Sequence, residues 1–177
     1  MFLFLKVCVL MKRIILHWTA GGHFPSFYDK QFYHFLVDAN GVVHQGDYPP
    51  EANLDVKTGN YAAHTGGGNT ASIGVALCAM AGFVSPKKVG LYPITPIQLE
   101  SFFSLCARLC AKYNIPISPG TVLTHHEFGL AHPKSTSAGK IDIIYLPPYP
   151  SVESRNVGGF IRSKIRWYYE KQADKKL

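Results

Sequence analysis

Residues 72–78, Ser-Ile-Gly-Val-Ala-Leu-Cys, carry apolar or small side chains at odd and even positions alike. Such a run predicts a strand that is buried on both faces, as the central strands of parallel sheets are. Ile14-Ile15-Leu16 predicts a second buried strand, which leads into His17. Residues 121–124 predict a third strand, which ends at His125. The core of the fold is therefore expected to be a sheet in which two strands end at a histidine.

Further elements are predicted on both sides of these strands. Residues 33–37 and 42–45 flank Asn40-Gly41, a dipeptide typical of tight hairpins. Apolar spacing and capping residues predict helices over residues 26–32, 96–113 and 157–172. Long loops are predicted over residues 46–71 and 126–150. Because strands and helices interleave, we predict an α/β fold: a single domain with a central mixed β-sheet flanked by helices.

Composition limits the class of protein. The chain has 177 residues, of which 47% are hydrophobic and 16% are charged, and this excludes disordered, collagenous and coiled-coil proteins. No apolar run approaches the roughly 18 residues of a spanning helix, so we expect no stable membrane insertion. We divide the chain into an apolar extension, residues 1–10, and one domain over residues 11–177. The extension is interpreted as an extra strand or as sequence upstream of a start at Met11, with a degenerate export signal as the alternative.

The net charge of +7 indicates an anionic partner. Helix-turn-helix, zinc-finger and aromatic RNA-binding signatures are absent from the sequence, so we expect no nucleic-acid partner. Seven of the 18 Lys and Arg residues fall between Arg155 and Lys176. This basic segment is expected to hold an anionic surface, and an ordinary solvated helix face is the alternative.

Eight histidines carry most of the chemical information in the sequence. His17 and His125 follow predicted strands, and a later carboxylate would complete a site with three zinc ligands and a fourth position for water. Zinc in such a site lowers the pKa of its bound water to about 7. From spacing alone the third ligand stays open, and His126 and His132 are competing ligands.

Five blocks of sequence occur in a fixed order. They are residues 15–20 (ILHWTA), 33–41 (YHFLVDANG), 63–64 (AH) with Asn69, 72–75 (SIGV) and 124–127 (THHE). In these blocks the sequence resembles the zinc-dependent N-acetylmuramoyl-L-alanine amidases, a family that includes phage endolysins, cytosolic wall-recycling amidases and peptidoglycan recognition proteins. The likeness covers about residues 11 to 145. It implies Zn²⁺ as the cofactor and polymeric peptidoglycan as the partner.

The resemblance also implies the metal ligands. His17 matches the first ligand, and His125, as the first His of a His-x-Glu step, matches the second. The third ligand of the family is Asp or Cys two residues after a lysine, and Asp142 stands in that relation to Lys140. Lys134 is a rival for the lysine role, but no carboxylate or thiol follows it at the same step.

Further roles follow from the same resemblance. Lys140 is expected to stabilise the oxyanion that forms during amide hydrolysis. Tyr33, directly before His34, is expected to orient or deprotonate the attacking water. The residues expected to contact the substrate are His34, His64 and Asn69. For His64, bracing of the neighbouring glycine loop is the alternative.

One position departs from the wall-recycling branch of the family. In that branch a glutamate follows Ser-Ile-Gly and a hydrophobic residue, and here that position holds Ala76. The departure removes one candidate base and leaves Tyr33 with Lys140. We therefore expect cleavage of polymeric peptidoglycan in phage-type bacterial lysis, by a monomer that is synthesised in the cytoplasm and acts on the cell wall. The alternative is a non-catalytic peptidoglycan-binding protein of the recognition type.

Overall fold

The computed structural model describes residues 11–174, so the predicted apolar extension, residues 1–10, lies outside the described residues. The strands are β1 (Arg13–Trp18), β2 (Phe35–Val37), β3 (Val43–Gln45), β4 (Ser72–Leu77) and β5 (Val122–Thr124). They form one sheet in the order β3-β2-β4-β1-β5, in which β2 and β3 are antiparallel and the other pairs are parallel. β4 is central, as its sequence predicts. The expected α/β fold with a mixed sheet is confirmed.

The helices are α1 (Phe27–Phe32), α2 (Pro96–Tyr113), α3 (His125–Ala131) and α4 (Val157–Asp174). Three short 3-10 turns cover Pro50–Leu54, Val56–Thr58 and Ser154–Asn156. Among the described residues, no helix combines the length and the apolar character that crossing a bilayer requires.

The prediction of a continuous loop over residues 126–150 is wrong at its start, where α3 forms. The side chain of Thr124 accepts a hydrogen bond from the Glu127 N–H (3.1 Å), and the Glu127 carboxylate accepts one from the Thr124 N–H (2.9 Å). This reciprocal pair is a capping box, which satisfies two backbone donors at a helix start. His125 is therefore the first residue of a helix, directly after β5.

One face of the sheet packs against α2 and α4 and forms the main core. Ile14 and Leu16 of β1 are fully or almost fully buried there, together with Phe102 of α2 and Ile161 of α4. Side chains alternate between the two faces along a strand. Ile15 and His17 therefore point to the opposite face, where Ile15 packs with Leu123 and Phe128. The sheet thus has one face for stability and one for the buried polar groups.

The long helix α2 begins and ends as its sequence predicts. Thr95 and Gln98 form a capping box with two hydrogen bonds of 3.2 Å, and Asn114 ends the helix at a left-handed φ of 51°. The buried Gln98 amide also donates to the carbonyl oxygens of Val37 (2.8 Å) and Cys78 (3.1 Å). These bonds attach the helix start to the ends of β2 and β4.

Arg162 of α4 is not part of a basic surface, contrary to the expectation for this segment. Its guanidinium is buried and donates to both carboxylate oxygens of Glu127, at 2.9 and 3.0 Å, and to the carbonyl of Val122 at 3.0 Å. Gly158 makes room for the carboxylate, because a Cβ at this position would overlap with Glu127. The ion pair therefore connects α4 to the start of α3, next to His125.

We predict that Arg162→Met lowers the free energy of unfolding by roughly 3 kcal/mol, because Glu127 would keep its charge in a partly buried place without a partner. Arg155→Met is the matched control, since Arg155 and Glu153 form an ion pair with side chains 81% and 62% exposed. Its effect should stay below about 1 kcal/mol. Urea unfolding at neutral pH measures both values, and equal losses in the two variants would contradict the prediction.

Candidate active site

Three buried side chains converge where β1 and β5 end. His17 Nδ1 lies 2.8 Å and His125 Nδ1 lies 3.1 Å from the same carboxylate oxygen, Oδ2 of Asp142. One ligand atom from each residue lies within 4.8 Å of the others. Two imidazoles and a carboxylate are the donor set of catalytic zinc sites, so the residues present fit a zinc ion.

The sheet explains why the two histidines meet. β1 and β5 are neighbouring parallel strands, so their carboxyl ends lie at the same edge. His17 lies near the end of β1, and His125 follows β5 directly. Parallel strands bring together side chains that are distant in sequence, and ligand sites in α/β proteins lie at this edge.

His126 connects the third side chain to the same place. Its backbone N–H donates to the Asp142 carbonyl (2.7 Å), and its ring Nδ1 donates to the Lys140 carbonyl (2.8 Å). The segment that carries Lys140 and Asp142 is thereby attached to the start of α3. His126 therefore braces the segment. It does not belong to the converging group, although sequence spacing alone had left it as a competing ligand.

Burial and hydrogen bonding set the charges of this group. Burial lowers the pKa of His17 below its usual 6.5, and the neighbouring Asp142 carboxylate opposes this only in part. Burial alone would raise the pKa of Asp142, but its close contacts with the His125 and His17 rings outweigh the effect of burial and hold the pKa below its usual range. A neutral imidazole and an ionised carboxylate are the forms that bind a metal.

A cavity of about 390 Å³ opens beside the three side chains. Residues that line it include Tyr33, His64, His125, Lys140 and Asp142, together with Trp18, Thr19, Met80 and Phe83. His17 lies behind this wall with no exposed surface. The cavity therefore brings the expected ligands His125 and Asp142 together with both expected catalytic residues.

Tyr33 enters the cavity from the residue after α1. Its ring centroid lies 5.1 Å from that of His17. Burial raises the pKa of the Tyr33 phenol well above 10, and the Asp142 charge raises it further. The phenol is consequently neutral at physiological pH and keeps its proton.

Ala76 lies beside these residues. It is paired with His17 of β1 and with Leu36 of β2 in the sheet register, and its side chain is buried. Leu36, Ala76 and Cys78 form a small apolar cluster against which Tyr33 packs. Ala76 is therefore part of an apolar support for Tyr33.

Two of the three residues expected to contact substrate do not line the cavity. His34 is 1% exposed, donates from Nε2 to Asn53 Oδ1 (2.9 Å) and accepts at Nδ1 from the Gly74 N–H (2.9 Å). The Asn69 side chain accepts from the Thr65 N–H (2.8 Å). The His34 bonds hold the 46–71 segment against the sheet, and the Asn69 bond fixes a turn within that segment, so both residues have a structural use. Only His64 of this set lines the cavity.

The remaining rivals also lie elsewhere. His132 donates from Nδ1 to the Phe128 carbonyl (3.0 Å), and its ring stacks on Phe128 with centroids 4.0 Å apart. It does not belong to the converging group. Within residues 11–174, that group consists of His17, His125 and Asp142. Lys134 is exposed and does not line the cavity.

Sequence reasoning missed several buried polar residues around the site. Asn53 bonds His34 as well as the backbone of Ala62. Ser137 bonds His125, and Thr65 lies beside His17. All three fall within the predicted loops 46–71 and 126–150, which have no apolar periodicity, so nothing in the sequence distinguished them from solvated loop residues.

Comparisons with known proteins identify the family of the chain. The model of a family described as N-acetylmuramoyl-L-alanine amidase matches residues 10–141, about three quarters of the chain. The chain belongs to this family. No curated protein sequence matches it.

Solved structures share the fold. The PlyG catalytic domain is 22% identical with a TM-score of 0.53, and the match covers 90% of this chain and 84% of that one. A mutant form of PlyL is also 22% identical, with a TM-score of 0.52 and coverage of 88% and 84%. At this identity the likeness concerns the fold alone.

We predict that His34 makes the protein less stable in mild acid. Burial lowers the pKa of His34 from 6.5 to about 4, so the neutral ring is favoured in the folded state. This contribution is complete above pH 6.5 and is lost as the pH falls from 6.5 towards 4, by roughly 3 kcal/mol at most.

The measurement is the free energy of unfolding across this pH range, for the unaltered protein and for His34→Gln. The variant should show a shallower pH dependence, whatever its absolute stability. His23→Gln is the control, because that ring is only partly buried and its Nε2 forms a solvent-exposed hydrogen bond with the Pro93 carbonyl (2.9 Å). Identical pH slopes for His34→Gln and the unaltered protein would contradict the prediction.

Proposed function

We propose that this protein is a zinc-dependent N-acetylmuramoyl-L-alanine amidase. It hydrolyses the amide bond between the lactyl group of N-acetylmuramic acid and L-alanine in peptidoglycan. Membership of the amidase family supports peptidoglycan as the substrate. The observation that carries the zinc dependence is the convergence of His17, His125 and Asp142 at the wall of a cavity.

His17, His125 and Asp142 would hold the ion. Zinc supplies Lewis acidity that polarises the amide carbonyl and makes water nucleophilic at neutral pH. The cavity faces this group from the side of His125 and Asp142, so the substrate carbonyl has access there. The donor set uses three protein ligands and leaves a position free for water or substrate.

Lys140 supplies positive charge to the oxygen of the scissile amide. Its side chain is exposed at the cavity wall, two residues before Asp142. Negative charge develops on the carbonyl oxygen when the amide carbon becomes tetrahedral, and a nearby cation lowers the energy of that state. The hydrogen bond between His126 and the Lys140 carbonyl fixes the backbone from which this side chain extends.

Tyr33 orients the attacking water. Burial, the largest cause of its raised pKa, favours the neutral phenol, which is a hydrogen-bond donor and a poor base. Of the two roles considered for Tyr33, orientation is therefore favoured over deprotonation. The net reaction adds hydroxyl to the lactyl carbon and a proton to the released amine of L-alanine.

We further propose that the substrate is the polymeric wall and that the setting is bacterial lysis of phage type, carried out by a monomer. The support is the apolar Ala76 beneath Tyr33, which leaves no carboxylate at the position where wall-recycling enzymes carry one. Synthesis in the cytoplasm and action at the wall follow from this proposal.

Removal of the metal should abolish the activity. We expect purified protein to release wall fragments with a new N-terminal alanine, to stop after treatment with a chelator and to recover with Zn²⁺. His17→Ala, His125→Ala and Asp142→Ala should each lose bound zinc and activity together, because each removes a ligand.

His132→Ala is the matched control for the ligand variants, since His132 is bonded to the Phe128 carbonyl outside the group. Full activity in the presence of chelator would refute the zinc dependence. Tight binding of peptidoglycan with intact zinc but without any new N-terminal alanine would instead favour the non-catalytic recognition type.

Tyr33→Phe and Lys140→Met should each reduce kcat by about 100- to 1000-fold, because each removes a polar group that acts on the water or on the oxyanion. Zinc content should stay unchanged in both variants. Lys134→Met is the control, because Lys134 is exposed away from the cavity. Release of N-terminal alanine gives the rate, and a kcat equal to the unaltered value would exclude the residue concerned.

A further inference from the structure

We propose that Ser137, Thr65 and His64 are positioning residues that set the metal affinity of the site. They hold the two ligand histidines in one tautomer, with the proton on Nε2 and the lone pair of Nδ1 directed at the metal position. The inference rests on the proposed function, because it assumes that a metal binds His17 and His125. It assigns a role to two residues that sequence reasoning did not single out.

The chain of hydrogen bonds from His125 has a fixed direction. His125 Nε2 lies 2.9 Å from Ser137 Oγ, and Ser137 Oγ lies 2.8 Å from the Gly66 carbonyl. A carbonyl oxygen only accepts, so the single hydroxyl proton of Ser137 is used there. Ser137 must then accept from His125, which places the proton on Nε2 and leaves Nδ1 without one.

The chain from His17 ends in the same way. His64 Nε2 lies 3.4 Å from the Ser72 carbonyl, so His64 donates there and its Nδ1 accepts. That Nδ1 lies 2.7 Å from Thr65 Oγ1 and 3.2 Å from His17 Nε2. His17 Nε2 is also 3.3 Å from Thr65 Oγ1. If the Thr65 hydroxyl donates to His64 Nδ1, the Thr65 oxygen is left to accept from His17 Nε2. If His17 itself donates to His64 Nδ1, it again does so from Nε2. In both cases the proton of His17 lies on Nε2.

Both series of hydrogen bonds therefore place the ring proton of the ligand histidine on Nε2, away from the metal position. The Nδ1 lone pairs of His17 and His125 then face Asp142 Oδ2 at 2.8 and 3.1 Å. Three electron-rich atoms around one point repel each other and are stabilised by a cation between them. A hydrogen bond at the distal nitrogen also orients the ring and raises the basicity of a histidine ligand.

The network is built into the fold and shielded from water. His64 is 6% exposed, and Thr65 and Ser137 have no exposed surface. Gly74 of β4 leaves room for the His64 ring, because a Cβ at position 74 would overlap with that ring. Residues 64–66 thus contribute to the hydrogen bonding of both histidines. The side chains of His64 and Thr65 contact His17 directly. The Gly66 carbonyl accepts from Ser137, which in turn contacts His125.

The test is the affinity of the metal-free protein for Zn²⁺, measured by competition with a chromophoric chelator. Ser137→Ala and Thr65→Val should each raise the Kd for zinc by about 10- to 100-fold, because each removes a hydroxyl from the hydrogen bonding of one ligand histidine. Thr65→Ser keeps the hydroxyl and should restore the affinity of the unaltered protein. The visible spectrum of the Co²⁺-loaded protein should change in the first two variants and not in the third.

Ser163→Ala is the matched control for the loss of a hydroxyl, because Ser163 is exposed on α4 and donates to the Phe160 carbonyl (2.7 Å). Circular dichroism establishes that each variant is folded. If Ser137→Ala does not fold, the nearly isosteric substitution Thr65→Val, set against Thr65→Ser, still decides the question.

The results distinguish failure of the positioning role from failure of the zinc site itself. Unaltered zinc Kd in both Ser137→Ala and Thr65→Val, with loss of zinc in His17→Ala, would overturn the positioning role and leave the zinc site in place. An unaltered chain that takes up no Zn²⁺, or a His17→Ala variant that binds it normally, would overturn the proposed function and this inference with it.

Discussion

The Oδ2 atom of Asp142 lies within hydrogen-bond distance of two imidazole rings that come from different parts of the chain. All three side chains are buried, so solvent contributes little to balancing the carboxylate charge. Burial penalises ionised groups heavily unless they are paired. The surroundings of this one oxygen therefore constrain the end of β1, the start of α3 and the segment that precedes Asp142. The rest of the site is arranged around that requirement.

The two faces of the sheet have different roles in burying this carboxylate. α2 and α4 cover one face with a continuous apolar core, which supplies stability. The other face carries His17 and smaller apolar clusters, so long loops can cover it with buried polar side chains. The Glu127–Arg162 ion pair joins the two sides, because it connects α4 to the helix that begins with His125.

β4 and α2 were predictable because their signals are local: an apolar run in one case, and a capping box with helical apolar spacing in the other. α3 was missed, although Thr124 and Glu127 carry a capping box, because the helix has only seven residues and little apolar periodicity. Arg162 was counted as surface charge, because a basic residue in an amphipathic helix gives no sign of a buried partner 35 positions away.

The amino-acid sequence by itself determined the α/β fold, the family and the identity of the candidate site residues, because strand and helix periodicity and short motifs are properties of neighbouring residues. Only the tertiary structure decided which of these residues meet. His34 and Asn69 hold a loop, His126 braces the Asp142 segment, and Thr65 and Ser137 contact the candidate ligands. The reason is physical: these contacts join residues far apart in the chain or placed in irregular loops, and their pairing depends on how the loops fold over the sheet.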